Sequence, residues 1–144
     1  MSSIREQILV KIVTVLAGTS GVGSNIFRSR VIPLTRTDAP SIVVRPSNGM
    51  EHVTLLGSLV AERLLSVDIE IYVRGDPADS LVDPIISSAH AKIMADTTLG
   101  GLCARITEQG SQWADKEADL TAGVLTVQYQ IKYLSQAGDI TKTP

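Results

Sequence analysis

The sequence predicts an α+β fold in which two helices pack on one face of a mainly antiparallel sheet of four to five strands. Residues 66–73 and 125–133 alternate polar and apolar side chains, which is the pattern of strands that bury one face. Residues 3–17 and 77–95 instead repeat apolar side chains at helical spacing. Because two helices cover only one face of such a sheet, the polar face is expected to meet water or a partner.

The first predicted helix covers residues 3–17 and ends at Gly18, where a flexible connection begins. Its apolar side chains fall within about half of the helical wheel, and Val10 lies outside that half. Short strands are predicted over residues 26–30 and 41–45. The first part of the chain therefore supplies one amphipathic helix and two short strands.

A long loop and an unusually long strand come next. The loop covers residues 46–57, and the strand begins between Leu59 and Arg63 and ends at Arg74. The stretch from Arg63 to Arg74 would span roughly 40 Å, about twice a typical strand. Part of this strand is therefore expected to project beyond the core.

The second predicted helix has Asp76 as its N-cap and Pro77 as its first residue, and it runs to about Ala95. Pro84 lies inside this range, so the helix is expected either to kink there or to become regular only from Asp83. Its inward side chains are predicted to be Leu81, Val82, Ile85, Ile86, Ala89 and Ile93.

The last two predicted strands cover residues 104–113 and 123–133, with a charged, exposed connection between them. Residues 135–144 are polar and are predicted to form a mobile tail. The length of 144 residues indicates one domain, residues 1–144.

Composition excludes several classes of protein. Hydrophobic residues make up 44% of the chain but aromatic residues only 3%, which predicts an aliphatic core and disfavours stacking on single-stranded nucleic acid. The net charge of −2 disfavours tight binding to duplex DNA.

Cys103 is the one cysteine, so no intrachain disulfide forms. Lys11 interrupts the apolar stretch 8–17, which is read as a helix rather than a signal peptide, and no stretch approaches the roughly 18 apolar residues of a membrane span.

The glycine-rich stretch 18–24 has the first spacing of a phosphate-binding loop, but Ser24 stands where the lysine belongs. The stretch also follows a helix rather than a strand, and it lacks the third glycine of a dinucleotide-binding loop. Ser20 lacks the flanking glycines of a nucleophile elbow. We interpret this stretch as a flexible turn.

Histidine and cysteine residues are too few to predict a metal centre. His52 lies in the long loop and His90 in the second helix, and Cys103 is distant from both in the sequence. A zinc site needs a cluster of such ligands. A catalytic dyad of His90 and Cys103 is the remaining combination, but a partly exposed helix histidine and a small buried thiol without a catalytic role are far more common.

Asp68 and Glu70 share one face of the long strand. Paired carboxylates can perform acid–base chemistry or bind a cation. They can also belong to a solvated or intersubunit face, where Lys132 is a candidate partner for these two carboxylates. The acidic stretch 115–119 lacks the glycine and the oxygen pattern of a calcium loop. The sequence therefore predicts no catalytic, cofactor-binding or metal-binding residue.

Arginine residues concentrate near the two short strands. Arg28, Arg30, Arg36 and Arg45 lie within eighteen positions, where Asp38 is the one acidic residue. Arginine suits fork-shaped salt bridges inside a fold or across a protein interface. This cluster favours such pairing over binding to nucleic acid.

A series of short sequences runs through residues 4–138: 27–34, Arg36 and 39–44 near the short strands, 67–75 on the long strand, 95–96 and 99–102 after the second helix, then Trp113, 117–119, 121–125 and 129–133. In this order they resemble the small tail terminator proteins of tailed bacteriophages, similar in type to the lambda tail terminator. Ala39 and Pro84 depart from the pattern.

The resemblance implies a ring without enzymatic activity, usually a hexamer, that caps the head-proximal end of the tail tube, stops its polymerisation and presents a surface to the neck. It implies neighbouring copies, the tail tube protein and a head–neck connector as partners, with DNA only passing through the lumen and with no cofactor and no membrane. It also implies a place in the tail–neck region of the virion, after assembly in the host cytoplasm.

The polar strand face and the arginine cluster form the predicted assembly interface, namely Arg28, Arg30, Arg36, Arg45, Asp68, Glu70, Gln128, Gln130 and Lys132. Two alternatives stay open. One is another ring of the neck connector, such as a head-completion or tail-completion protein. The other is a small enzyme or ligand-binding domain that uses His52, His90 or the Asp68/Glu70 pair.

Overall fold

Two helices and a six-stranded sheet make up the fold of the described part of the chain, which in this computed structural model is residues 2–29, 40–75, 77–116 and 119–144. In chain order the elements are α1 (Ile4–Leu16), β1 (Ile26–Arg28), β2 (Ser41–Pro46), β3 (His52–Leu56), β4 (Val60–Arg74), α2 (Ala78–Ala95), β5 (Arg105–Lys116) and β6 (Asp119–Gln136). The predicted α+β class is confirmed.

The sheet is antiparallel except where β1 runs parallel to β2. Its strand order is β1-β2-β4-β6-β5. β6 pairs with one edge of β4 over the whole of Val60–Arg74, so β2 and β3 share the other edge of β4. β2 and β3 therefore form one interrupted line along β4, joined through residues 47–51.

One face of the sheet forms the core together with the helices. Side chains at alternate positions are buried from Leu65 to Val73 in β4 and from Val127 to Ser135 in β6. Their apolar members join the buried residues of α1 and α2 in one cluster. The intervening side chains of β4 and β6 therefore point to the opposite face of the sheet, which we call the open face.

α1 begins at a capped N-terminus and buries one stripe of side chains. The hydroxyl oxygen of Ser3 accepts a hydrogen bond from the backbone N–H of Glu6 at 3.1 Å, which satisfies one of the free amides at the helix start. The buried side chains are Ile4, Ile8, Leu9, Ile12 and Leu16. Val10 is 52% exposed, as expected for a residue outside the apolar half of the wheel.

α2 begins one residue later than predicted and buries most of the residues predicted to point inward. It is helical from Ala78, so Pro84 lies inside the helix and the regular part does not begin near Asp83. The predicted N-cap Asp76 lies outside the described residues. The buried stripe consists of Ala78, Val82, Ile85, Ala89 and Ile93. Of the residues predicted to point inward, Val82, Ile85, Ala89 and Ile93 are buried, whereas Leu81 at the edge of that stripe is 42% exposed.

Two segments that the sequence predicts as connections contain β-strands in the structure. The predicted loop 46–57 includes β3, all of whose residues are exposed, so no buried positions revealed it in the sequence. The charged stretch between residues 114 and 122 is largely the end of β5 and the start of β6. These strand ends form a hairpin that extends past Arg74, the last residue of β4, which pairs with Ala122.

The C-terminal segment, predicted as a mobile tail from residue 135, has defined hydrogen bonds. Ser135 and Gln136 still belong to β6. The backbone N–H of Ile4 donates to the carbonyl oxygen of Ile140 at 2.9 Å, and the N–H of Ala137 donates to the carbonyl oxygen of Leu59 at 2.8 Å. The segment therefore links the start of α1 to the turn between β3 and β4.

Within the described residues, α1 and α2 each lack the length or the apolar character that crossing a lipid bilayer requires.

We predict that replacing Gly123 by alanine destabilises the fold. A Cβ atom at this position would lie 2.3 Å from Cζ2 of Trp113, so the indole ring would have to move away from β6. Overpacking of this kind costs roughly 1–3 kcal/mol of unfolding free energy. Urea denaturation followed by the fluorescence of Trp113, the one tryptophan, measures the change.

Gly138→Ala is the matched control, because a Cβ there meets nothing within 4 Å. Its unfolding free energy should stay within about 0.5 kcal/mol of the parent chain. Equal unfolding midpoints for Gly123→Ala and Gly138→Ala would show that the indole does not pack against residue 123.

Candidate assembly surface

The open face gathers most of the described residues that the sequence predicts as interface. Asp68 lies directly opposite Gln128 across the β4–β6 pair, while Glu70 lies opposite Thr126 and Lys132 lies opposite Leu64. These positions alternate with the buried side chains of the same strands, so they share the face that the helices leave uncovered. All are half-buried even though no helix lies over them.

Short polar contacts join the side chains of the open face into pairs. The hydroxyl of Ser47 donates to Oδ1 of Asp68 at 2.5 Å, and the amide of Gln128 donates to the Ser47 hydroxyl at 3.0 Å. Nε of Arg45 lies 2.6 Å from Oε1 of Glu70. Arg45 therefore offsets the charge of Glu70 within the subunit, while the carboxylate of Asp68 accepts a hydrogen bond from the neutral Ser47.

A second ion pair lies further along the same face. Nζ of Lys132 lies 3.3 Å from Oε2 of Glu62, so Lys132 pairs with Glu62 rather than with Asp68 or Glu70. Ion pairs with this much access to water contribute roughly 0–1 kcal/mol each. Their main effect is to offset charge on the open face, since Lys132 meets Glu62 and Arg45 meets Glu70 on neighbouring strands.

A shallow depression of about 270 Å³ lies on the open face beside the bulge in β5. Its lining consists of Asp68, Gln109, Gly110, Ser111, Gln112, Thr126 and Gln128. None of these side chains is a large hydrophobic group, whereas sites for small ligands are mostly lined by apolar groups. The depression therefore resembles a wet contact surface more than a ligand pocket.

The arginine cluster divides between different environments. Arg28 makes two hydrogen bonds to the carboxylate of Glu6 in α1, at 2.7 and 2.9 Å, so it holds the helix to the sheet. This pairing lowers the pKa of the Glu6 carboxyl and raises the pKa of the Arg28 guanidinium. Arg45 lies on the open face, and Arg30 and Arg36 lie outside the described residues.

His90 and Cys103 have separate partners in the structure. Nδ1 of His90 lies 2.7 Å from the hydroxyl of Tyr129 and 3.6 Å from a carboxylate oxygen of Glu108. The thiol of Cys103 donates to the carbonyl oxygen of Thr97 at 3.3 Å, and burial raises its pKa to about 11. A thiol with such a pKa is almost entirely protonated at neutral pH, which makes it a poor nucleophile.

Metal binding finds no support in the described part of the chain, where no three His, Cys, Asp or Glu side chains are grouped closely enough to hold an ion. His52 belongs to β3, is exposed and lies opposite Leu64. Of the residues that the sequence suggested for catalysis, Asp68 lines the polar depression. His52 belongs to no group of metal-ligating side chains among the described residues.

The β3–β4 hairpin projects from the core as an arm, which we define as residues 50–64. Glu51 fixes its base, since it accepts a hydrogen bond from the hydroxyl of Tyr133 and lies 3.8 Å from a guanidinium nitrogen of Arg5. Nε of Arg63 donates to the hydroxyl of Ser135 at 3.0 Å. The base of the arm is thus tied to α1 and β6.

The outer part of the arm exposes many apolar side chains. All residues from 52 to 59 are exposed. Nine large hydrophobic side chains are exposed among the described residues, and five of them lie in the arm: Met50, Val53, Leu55, Leu56 and Leu59. Sequence reasoning missed this patch because it treated the segment as a loop. The absence of charged residues between Glu51 and Glu62 was the signal that could have indicated it.

Comparisons with known proteins add little. No protein-family model matches the chain, and no curated protein matches it. One similar solved chain belongs to a structure described as the virion of a native gene transfer agent particle, with a TM-score of 0.45, 9% sequence identity and coverage of 90% of each chain. A likeness at this TM-score and identity establishes neither the fold family nor the function of the present chain.

We predict that the stability of the protein falls as the pH rises above about 10, the ordinary pKa of tyrosine. Burial raises the pKa of Tyr129 and of Tyr133, and the hydrogen bond to Glu51 raises that of Tyr133 further. Both phenols thus ionise more readily in the unfolded chain, so the stabilisation is complete below pH 10 and is lost above it. Each tyrosine would contribute a loss of up to about 1.4 kcal/mol per pH unit.

Urea unfolding at a series of pH values between 8 and roughly 11 measures this slope. Tyr133→Phe removes the hydrogen bond to Glu51, so it should lower the unfolding free energy at pH 8. It also removes an ionisable phenol, so the fall in stability above pH 10 should be less steep. Tyrosinate absorbance that rises in the folded protein near pH 10, with no accompanying loss of structure, would contradict the prediction.

Proposed function

We propose that this protein is a structural protein of a phage-type tail, which forms a ring at the head-proximal end of the tail tube, ends tube polymerisation and joins the tail to the neck. The observation that carries the proposal is the length of β4. It has 15 residues, but its unbroken alternating row of buried apolar side chains runs only from Leu65 to Val73, and residues 60–64 pair with the exposed strand β3. A strand that continues so far past its own core is suited to contact with another subunit.

The two sides of the sheet support this proposal in different ways. The helices and the buried face account for the stability of a single subunit. The open face and the arm contribute little to that core, yet both present organised side chains. Ring assembly needs two unlike surfaces on each copy, because every subunit contacts its neighbour head to tail. The open face and the arm offer such unlike surfaces.

The sequence resemblance to tail terminator proteins supplies the specific form of the proposal, namely a ring that is usually hexameric. Its partners would be other copies, the tail tube protein and a head–neck connector. The proposed interface residues on the open face are Arg45, Asp68, Glu70, Gln128, Gln130 and Lys132, and Arg30 and Arg36 are proposed from the sequence. Arg28 would act indirectly, since it is engaged with Glu6.

The charge of the chain agrees with DNA that passes through the ring without being held. The net charge is −2, and the cationic side chains of Arg45 and Lys132 on the open face are each paired with a glutamate. A surface that binds duplex DNA tightly would offer many unpaired cations to the phosphates. We propose no enzymatic activity and no cofactor, and a location in the tail–neck region of the virion after assembly in the host cytoplasm.

Deletion of the gene from the particle that encodes it tests the proposed function. Electron micrographs should show overlong tails that lack a terminal ring, and supplying the protein should restore tails of uniform length. Normal-length tails that fail to attach to heads would instead identify another connector ring. Complete particles with normal infectivity would overturn both assignments.

We predict that Gln130→Arg impairs assembly without unfolding the protein. Gln130 lies at the middle of the open face, opposite Ser66 and Thr107, so a new cation there would meet the partner surface. A surface substitution of this kind should change the unfolding free energy by less than about 0.5 kcal/mol. Ring formation on purified tail tubes, scored by electron microscopy, is the measurement.

Ala91→Arg adds the same charge at an exposed position on α2 and serves as the control. It should cap tubes as the parent chain does. If Gln130→Arg caps tubes as efficiently as Ala91→Arg, then the middle of the open face is not an assembly surface.

A further inference from the structure

The depression on the open face carries one negative charge that the subunit does not balance. The carboxylate of Asp68 accepts a hydrogen bond from the neutral hydroxyl of Ser47 and forms no ion pair with any described residue. Arg45 lies opposite Asp68 in the strand register, but its guanidinium is engaged with Glu70. Asp68 is also the one ionic group in the lining of the depression. The depression therefore calls for a cation from another molecule.

The carboxylate of Asp68 is held in position before any partner binds. The backbone N–H of Ser47 donates to the carbonyl oxygen of Ser66 at 2.9 Å, which fixes Ser47 against β4. The Ser47 hydroxyl accepts from the amide of Gln128 at 3.0 Å and donates to Oδ1 of Asp68 at 2.5 Å. Oδ2 is left to accept from a donor outside the subunit. A side chain fixed in this way loses little conformational entropy when it binds a cation.

The rest of the depression suits a guanidinium better than an ammonium or a metal ion. A guanidinium carries five N–H donors and no acceptor, whereas an ammonium carries three donors. Neutral acceptors surround the carboxylate, namely the side-chain oxygens of Gln109, Ser111, Gln112, Thr126 and Gln128. Divalent cations instead favour several carboxylates, and the lining has one. An arginine can thus pair with Asp68 while its remaining N–H groups meet neutral oxygens.

The chain itself carries an arginine that lacks a partner. Arg105, the first residue of β5, is exposed at an edge of the sheet. It is the one arginine among the described residues whose guanidinium makes no hydrogen bond or ion pair. Its neighbour across the β5–β6 pair is Lys132, which is itself paired with Glu62. Because like charges directly opposite each other destabilise a sheet, Arg105 gains from a carboxylate that another molecule supplies.

Asp68 and Arg105 cannot reach each other within one subunit. Gln128 lies opposite Asp68, and Lys132, four residues further along β6, lies opposite Arg105. Four residues of a strand cover roughly 13 Å, and β4 and β5 lie two strand spacings of about 4.8 Å apart. The resulting separation of roughly 16 Å is too long for an ion pair between two side chains.

We infer that Arg105 of one copy inserts into the depression of a second copy and pairs there with Asp68. The contact cancels two charges that each subunit leaves uncompensated. It joins the β5 edge of one copy to the open face of the next. Because the two sites differ, the contact propagates head to tail, as a ring requires. The inference rests on the proposed function, for which it names the residues that join neighbouring copies.

Charge reversal tests the contact. Asp68→Arg and Arg105→Asp should each lower the association constant in sedimentation about tenfold or more, because each brings like charges together in the contact. An equal mixture of the two variants should regain the association of the parent chain, since each reversed residue can then meet a reversed partner. If the chain assembles only on the tube, ring formation on purified tail tubes gives the same comparison.

Neutral variants separate the loss of charge from a loss of fold. Asp68→Asn keeps an oxygen that can accept from Ser47, and it should weaken association and make it less sensitive to salt. If Asp68→Arg does not fold, Asp68→Asn and Arg105→Gln form a double-mutant cycle in which the two losses should not add. Asp83→Arg makes the same charge change at an exposed position of α2, so this control should associate like the parent chain.

The possible results separate the contact from the proposed function. Variants of Asp68 and Arg105 that assemble like Asp83→Arg would overturn the contact and leave the proposed function intact. Losses that neither the mixture nor the cycle couples would also overturn the contact. Coupling in a protein that stops at a closed dimer, or never caps tubes, would support the pair of residues and overturn the proposed ring. A parent chain that neither associates nor caps tubes would overturn both.

Discussion

The pairing of β4 with β6 is the constraint on which the rest of the structure depends. The two strands are in register along the whole of β4, from Val60 opposite Gln136 to Arg74 opposite Ala122. Because side chains alternate across a strand, a slip by one residue would turn the buried apolar row toward the open face. The helices pack on the apolar face that this register creates. The polar pairs of the open face exist only in the same register.

The open face and the arm use this framework in opposite ways. Ion pairs such as Arg45–Glu70 keep the open face polar, hydrated and nearly neutral. The arm carries exposed leucine and valine side chains, although β6 pairs with β4 along the arm and the C-terminal segment bonds to Leu59 in its turn. A neutral polar face suits a wet contact or a channel wall, whereas an exposed apolar patch suits a tight contact with one partner. The two surfaces thus differ in the kind of contact they offer.

The sequence was most informative where burial imposed a period. Alternation identified β4 and β6, and the helical spacing identified α1 and α2, since in each case a solvent-excluded core selects every second or every third to fourth residue. The shared face of Asp68 and Gln128 followed from the same alternation. The pattern failed where burial was absent, because the exposed strand β3 leaves no period to detect. The partners of Lys132 and Arg28 also needed the register and the docking of α1, which residue spacing does not specify.

The position of β6 has a consequence for how the chain folds. β6 is the last of the described elements along the chain, yet it lies inside the sheet between β4 and β5. Strand pairing between distant segments is slow, because the entropy of closing the intervening loop must be overcome before the contacts form. The apolar sides of the earlier strands and helices therefore remain open until β6 has emerged from the ribosome. The core can therefore close only after β6 has been synthesised, and until then the nascent chain exposes unpaired aliphatic strands, which are prone to aggregate.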